Sequence, residues 1–272
     1  MCEPVWESLD SHFLQAALIA THAAEPKLDT LVDRLKDEAV DVRYLLPSAI
    51  GSHTVLGFER SGGLPTVVLS DRPLPGWNAV VKRIEDLVLG VIFLLLAAPL
   101  LAMIALTIRL TMGAPVLFRQ QRHGFNNNTF TVFKFRTMTV SGDDGDVAQA
   151  KRRDPRVTGL GAVLRRTSLD ELPQLFNVIR GDMSLVGPRP HAVSHNTHYA
   201  KIINGYLSRH RVKPGITGWA QVNGLRGETD TVEKMQRRVE FDQYYIDNWS
   251  LVFDLRIIAQ TFVTLIGARN AY

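Results

Sequence analysis

Cysteine is almost missing from this chain. Cys2 is the only one in 272 residues, which excludes an internal disulfide and fits a reducing compartment. No large excess of one charge sign is present: 31 Lys and Arg stand against 27 Asp and Glu, for a net charge of +4. So mild a basic surplus suits a phosphate-rich ligand or an anionic lipid surface. Zinc-finger spacing, aromatic RNA-binding motifs and helix-turn-helix patterns are absent, so no nucleic-acid partner is expected. The opening MCEPVWESLD is acidic and lacks a basic stretch followed by an apolar core, so no secretory signal is expected. There is no internal repeat. Long hydrophobic runs are also missing, with one exception. Mean hydropathy is +0.00, so most of the chain must fold in water.

What is present divides near residue 76. Residues 1–76 read as a partial α/β unit and linker. Leu28, Leu31, Val32 and Leu35 recur at helical spacing, and β-type runs follow at Val40–Leu46 and Thr66–Leu69. Gly62, Gly63 and Pro65 punctuate this part, and residues 72–76 (RPLPG) look like a connection. No glycine fingerprint follows a strand, so no nucleotide site is expected there.

The exception begins after Asp86. From there to Arg109 the sequence is uncharged and rich in Leu, Ala and Ile, long enough to cross a hydrocarbon core of about 30 Å. A buried core helix is the alternative, but uninterrupted runs of this length favour a membrane. Basic residues flank both sides: Lys82 and Arg83 before, Arg109, Arg119 and Arg122 after. A spanning helix concentrates such residues on one side. Pro99, near the midpoint, lacks an N–H and clashes with the preceding turn, which predicts a kink. A kinked helix over about 83–112 that enters one leaflet and returns accounts for both features; a plain span that tolerates the proline is the alternative. Downstream, Thr129–Thr137 reads as a strand and Val232–Tyr245 as a charged amphipathic helix. Leu251–Ile266 is apolar but carries Asp254 and Arg256, which suits an interfacial helix. Asp143, Asp144 and Asp146 match no cation-loop spacing and read as a solvated loop. The fold class expected is an α/β, mostly helical, membrane-associated domain over 77–272.

Candidate chemistry centres on residues 165–174, RRTSLDELPQ. Ser168 and Glu171 have capping-box spacing, and Pro173 suits a first helical turn. A helix start attracts phosphate and stabilises carboxylates. Asp170 and Glu171, with Arg165 upstream, place two acids and a guanidinium there. An aspartate so placed can attack phosphorus while a divalent metal screens the repulsion between anions. In Phe133-Lys-Phe-Arg136, alternation places Lys134 and Arg136 on one strand face; an exposed cationic edge strand is the plain alternative. In Gly187-Pro-Arg-Pro190, two prolines restrict the backbone around Arg189, which lowers the freedom lost on gripping a phosphate. Together these basic elements and the acidic pair suggest a pyrophosphate site.

The string Ser168-Leu-Asp-Glu-Leu-Pro-Gln-Leu-Phe-Asn177, continuing from Arg180 to Pro190, resembles the signature of the bacterial sugar transferases, the monotopic phosphoglycosyl transferases. Lys134-Phe-Arg-Thr-Met138 and residues 213–224 (KPGITGWAQVNG) are similar to further blocks, in order, over about Trp77 to Tyr272. That resemblance implies an enzyme that moves hexose-1-phosphate from a UDP-sugar to undecaprenyl phosphate with release of UMP, the first membrane step of exopolysaccharide or capsule synthesis. It implies Asp170 as nucleophile, Glu171 as its partner, Mg²⁺ held by both, and Lys134, Arg136, Arg165, Arg189, Gln221 and Asn223 as phosphate or substrate contacts. It also implies a re-entrant helix in the bacterial cytoplasmic membrane, with the site facing the cytoplasm, and leaves a homo-oligomer open. Residues 223–231, 238–250 and 270–272 look like the subgroup that transfers glucose-1-phosphate, although nothing in them separates glucose from galactose or an N-acetylhexosamine. Larger members of that subgroup carry N-terminal membrane helices and a complete Rossmann-like domain, of which only a remnant is expected here. A non-catalytic membrane scaffold, with the acidic pair a mere helix cap, and a polytopic transferase without a covalent intermediate are the competing readings.

Overall fold

The structure is a computed structural model that describes residues 16–19, 41–45, 57–70, 73–139, 154–191, 196, 199–203, 205–227 and 231–266. The expected helix around Leu28–Leu35 and the Asp143–Asp146 loop lie outside the described residues.

In the N-terminal part, four strands form one sheet in the order β1-β2-β4-β3: β1 Ala16–Ile19, β2 Asp41–Leu45, β3 Gly57–Ser61 and β4 Leu64–Ser70. β1 and β2 run parallel and the other pairs antiparallel. Gly62 and Gly63 both take positive φ, 60° and 83°, and close the β3–β4 hairpin in a backbone region that glycine enters without strain.

The rest of the described chain is mostly helical. Helix α1, Trp77–Met112, is a single 36-residue helix that runs through Pro99. It is long and apolar enough to cross a membrane, and most of its apolar surface is not covered by protein. Leu95, Leu96 and Leu110 are 69%, 73% and 76% exposed, a contiguous greasy face that water does not favour. The opposite side packs on the soluble body. Leu89, Phe93, Leu94 and Ala97 lie against the main core, which includes Val132, Leu175, Val178, Met183 and Ile257. Further along, Ile104 and Ile108 form a second core with Phe135 and Leu164.

An antiparallel hairpin follows, β5 Leu117–His123 with β6 Thr129–Phe135. Then come α2 Gly159–Thr167, a 3₁₀ turn Leu169–Glu171 and α3 Gln174–Arg180. Strands β7 Ser184–Val186 and β8 Gly215–Thr217 pair in parallel. Their backbones nearly touch at Gly187 and Gly215: a Cβ on Gly187 would stand 2.5 Å from the Lys213 carbonyl oxygen, and one on Gly215 would stand 2.1 Å from the Gly187 nitrogen. Only glycine allows that approach. The short α4 Trp219–Val222, the amphipathic α5 Val232–Asp247 and the apolar α6 Leu251–Ile266 complete the domain.

Asn177, fully buried on α3, ties the acidic segment to the hairpin. Its amide donates to the Thr131 carbonyl at 2.7 Å, and its oxygen accepts from the Phe133 N–H at 3.1 Å. α3 thereby packs across the face of β6.

Candidate active site

The acidic pair does not begin with a capping box. Ser168 closes α2 in the left-handed conformation, with φ of 60°, and makes no side-chain cap. Its N–H donates to Arg165 O at 3.1 Å and its hydroxyl accepts from Arg226 instead. The Glu171 carboxylate, which a capping box would turn back on the backbone, is engaged elsewhere. Pro173 does sit immediately before α3, where its missing N–H costs nothing.

Asp170 and Glu171 occupy the 3₁₀ turn and are both buried. Glu171 is saturated with charge. Lys134 Nζ reaches its Oε1 at 2.7 Å, Arg189 donates to Oε1 at 2.6 Å and to Oε2 at 3.1 Å, and Arg226 Nη2 stands 3.9 Å from Oε2. Burial pushes the Glu171 carboxyl up, but Arg189 and Lys134 together outweigh it and hold the group well below the usual carboxylate range. Lys134 is lowered by burial, against the pull of Glu171.

Asp170 is the opposite case. Among the described residues no hydrogen bond or ion pair reaches its carboxylate, and burial, reinforced by the Glu171 charge, pushes its pKa up to about 6. Lys134, Arg165 and Arg189 oppose that rise through space. Two adjacent acids are thus driven apart, one locked as a carboxylate and one left unengaged at the edge of ionisation. Among the described residues no cluster of three His, Cys, Asp or Glu side chains could cage a metal. The Asp170 carboxylate, with Glu171 next to it in the 3₁₀ turn, suits an ion that takes one or two carboxylates and fills its sphere with water and phosphate oxygens.

Arg189 is held from behind. Its carbonyl accepts from Arg209 at 2.9 Å, the Pro190 carbonyl from Arg122 at 2.7 Å, and the Pro188 carbonyl from the Gly215 N–H at 2.9 Å. Arg209 is buried against Asp242 at 2.7 Å and donates to His191 Nδ1 at 2.7 Å. Burial, followed by Arg209 and Arg238, keeps His191 far below its ordinary pKa, so the ring is neutral and accepts.

Of the residues expected from sequence, Lys134, Arg165, Arg189, Asp170 and Glu171 converge here. Three others are placed elsewhere. Arg136 lies one residue beyond β6, and its guanidinium donates to the Met112, Gly113 and Ala114 carbonyls and seals the end of α1. The Gln221 amide donates to Ile216 O at 3.2 Å, and that of Asn223 to Trp219 O at 2.8 Å, both local contacts. Arg226 and Arg122 were not anticipated. Arg226 lies within the block 223–231 noted for its resemblance, but no spacing rule singles it out.

The sequence profile described as bacterial sugar transferase matches residues 77–268. The chain belongs to this family. Among its relatives, the UDP-glucose:undecaprenyl-phosphate glucose-1-phosphate transferase of Escherichia coli (strain K12) is 51% identical over 236 residues, covering 86% of this chain and 51% of the relative. A protein of the same name from Caulobacter vibrioides is 46% identical over 249 residues, covering 91% of this chain and 87% of the relative. The UDP-N-acetylgalactosamine-undecaprenyl-phosphate N-acetylgalactosaminephosphotransferase of Aeromonas hydrophila is 40% identical over 194 residues, covering 70% and 45%. This bacterial sugar transferase chain therefore spans about half the length of the Escherichia coli and Aeromonas relatives.

Proposed function

We propose that this sugar transferase moves glucose-1-phosphate from UDP-glucose to undecaprenyl phosphate, as its relatives are named to do. The observation that carries the reading is the contrast within the acidic pair: Asp170 is buried without a partner among the described residues, whereas Glu171 is saturated by Lys134 and Arg189. In the proposed reaction an Asp170 carboxylate oxygen attacks the β-phosphorus of the UDP-sugar. The bond from that phosphorus to the bridging oxygen breaks, and UMP leaves with the electron pair. An oxygen of undecaprenyl phosphate then attacks the same phosphorus, and the bond to Asp170 breaks. Glu171 keeps Lys134 and Arg189 in place, and these cations with Arg165 and Arg226 offset the charge of the incoming diphosphate. Mg²⁺ is the proposed cofactor and would supply further screening of the phosphate oxygens beside Asp170 and Glu171.

Helix α1 is proposed to be re-entrant, with a bend at Pro99, and to hold the site at the cytoplasmic surface of the inner membrane. Support comes from its two ends. Near the start, Arg83 donates to the Val178 and Ile179 carbonyls at 2.7 and 2.8 Å; at the finish, Arg136 seals the last carbonyls. Both ends are fastened to the same soluble body.

The test is UMP release from purified, detergent-solubilised protein with Mg²⁺ and undecaprenyl phosphate, across UDP-glucose, UDP-galactose and their N-acetyl forms. Release with UDP-glucose supports the reading. Release with UDP-N-acetylgalactosamine alone would move the specificity towards that of the Aeromonas relative. No release from any donor would overturn the transfer reaction and favour a scaffold.

A further inference from the structure

A second concentration of positive charge lies away from the acidic pair, at the foot of α1. There a cavity of about 260 Å³ is lined by Arg83, Arg211, Lys213, Tyr245 and Trp249, among others, and also by Lys82 and Asp86, which pair with each other at 3.1 Å. None of its lining residues belongs to the Lys134–Asp170–Glu171–Arg189 group. Arg83 and Lys213 converge beside Gly181, whose φ of 98° ends α3: a Cβ there would stand 3.3 Å from Arg83 Nη2 and 3.6 Å from Lys213 Nζ. Arg83 is oriented by two helix-end carbonyls. Lys213 precedes Pro214, which restricts its backbone, and its ammonium makes no hydrogen bond or ion pair with any described residue. Burial, then the Arg83 charge, lowers its pKa, while Asp86 and Asp182 act in the other direction.

Two cations brought together, one of them half-buried and without a hydrogen bond or ion pair among the described residues, are costly unless an anion joins them. The walls beside them are apolar and aromatic, which suits a ligand with a carbon stem behind an anionic head. We propose that this cavity is a second anion site, separate from the acidic pair, that takes a phosphate group carried by an anionic lipid headgroup or by a soluble phosphate ester.

The test uses the purified full chain in neutral detergent without UDP-sugar, so it stands or falls independently of the transfer reaction. The thermal unfolding midpoint is followed while titrating glycerol 3-phosphate at constant ionic strength and, separately, phosphatidylglycerol in mixed micelles with phosphatidylcholine as the control. At least one phosphate-bearing titrant is expected to raise the midpoint. Lys213→Met should weaken that response roughly tenfold by removing a charge-assisted contact, Lys213→Arg should retain it, and the exposed Lys201→Met should leave it unchanged. Ala79→Leu, which narrows the same cavity from the exposed first turns of α1 without altering charge, should weaken it too and covers the case in which Lys213→Met does not fold. A response to phosphatidylglycerol alone identifies a lipid; a response to both identifies the phosphate group as sufficient. No response to either, an undiminished response in both Lys213→Met and Ala79→Leu, or an equal loss in Lys201→Met would overturn the site.

Discussion

Two buried clusters of charge stand in this domain, and they are built on opposite plans. At the foot of α1, Lys82 is shared among Asp254 at 2.7 Å, Asp86 at 3.1 Å and Glu85 at 3.7 Å. Asp86 also accepts from Ser184 Oγ and the Leu185 N–H, both at 2.9 Å, and Asp254 from the Trp249 indole at 3.0 Å. Acids outnumber the cation there, and donors from three separate elements close around them. At the acidic pair the balance is reversed. Lys134, Arg165, Arg189 and Arg226 surround two acids, and one of those acids is left unengaged. The first cluster fastens α1 and α6 to β7 through Lys82, Asp86 and Asp254, while burial pushes the Glu85 carboxyl up to about 8. The second has a surplus of positive charge that only an anionic substrate can use, and the fold carries it at a cost in stability.

The largest expected effect falls on the second cluster. Asp170→Asn should lower UMP release by on the order of 10⁴-fold or more, since it removes the proposed nucleophile; turnover near the wild-type rate would remove Asp170 from that role. In the wild-type enzyme kcat/KM should fall as pH drops below about 6, because the ionised Asp170 is the reactive form. A flat profile between pH 5 and 7, on the order of one unit either side of that value, would contradict this.

Next in size is the first cluster. Lys82→Met leaves Asp86 and Asp254 without their cation and should cost about 3–5 kcal/mol of stability. Unfolding in detergent should show it, while the KM for UDP-sugar in the surviving folded fraction stays near wild type. A variant as stable as the parent would mean that the fastening is not electrostatic.

A smaller effect of opposite sign separates the clusters further. Asp170 has a raised pKa in the fold, so its protonated form favours folding below the ordinary value of 3.8, and that contribution is lost as pH rises through about 6. Asp170→Asn, which mimics the protonated form, should therefore stabilise the protein by roughly 2–3 kcal/mol at neutral pH and by little near pH 4. Loss of stability at neutral pH would show that the carboxylate serves the fold. The smallest change is expected at Asn223, whose exposed amide only caps a local turn: Asn223→Ala should stay within about 0.5 kcal/mol in stability and near wild type in turnover.

The long helix and the terminal Leu251–Ile266 helix were legible because hydrophobic runs and isolated charges speak for themselves. Lys134, Arg165 and Arg189 were legible as cations that gather at the acidic pair, since each lies in or next to a short local motif. Arg136 shows where such reasoning stops. Alternation placed it on the face of Lys134, but Arg136 lies one residue past β6, and a step of two residues is about 6.6 Å, enough to carry its guanidinium from the acidic pair to the end of α1. The capping-box pattern at Ser168 was overridden by a left-handed backbone set by the end of α2. Arg226 and the Arg209–Asp242 support act across distant elements, and nothing in their immediate sequence marks them.

The two-residue step from Lys134, on β6, to Arg136, just past its end, also works as a ruler. Lys134 grips the acid beside the proposed nucleophile, and Arg136 grips the last carbonyls of the apolar helix. Any layer that swallows α1 therefore sets the height of the acidic pair at the same time, through one short stretch of extended backbone. A bilayer made thicker or thinner would tilt or lift the whole catalytic body rather than slide the acid relative to the helix, so the elevation of the chemistry is written in strand register.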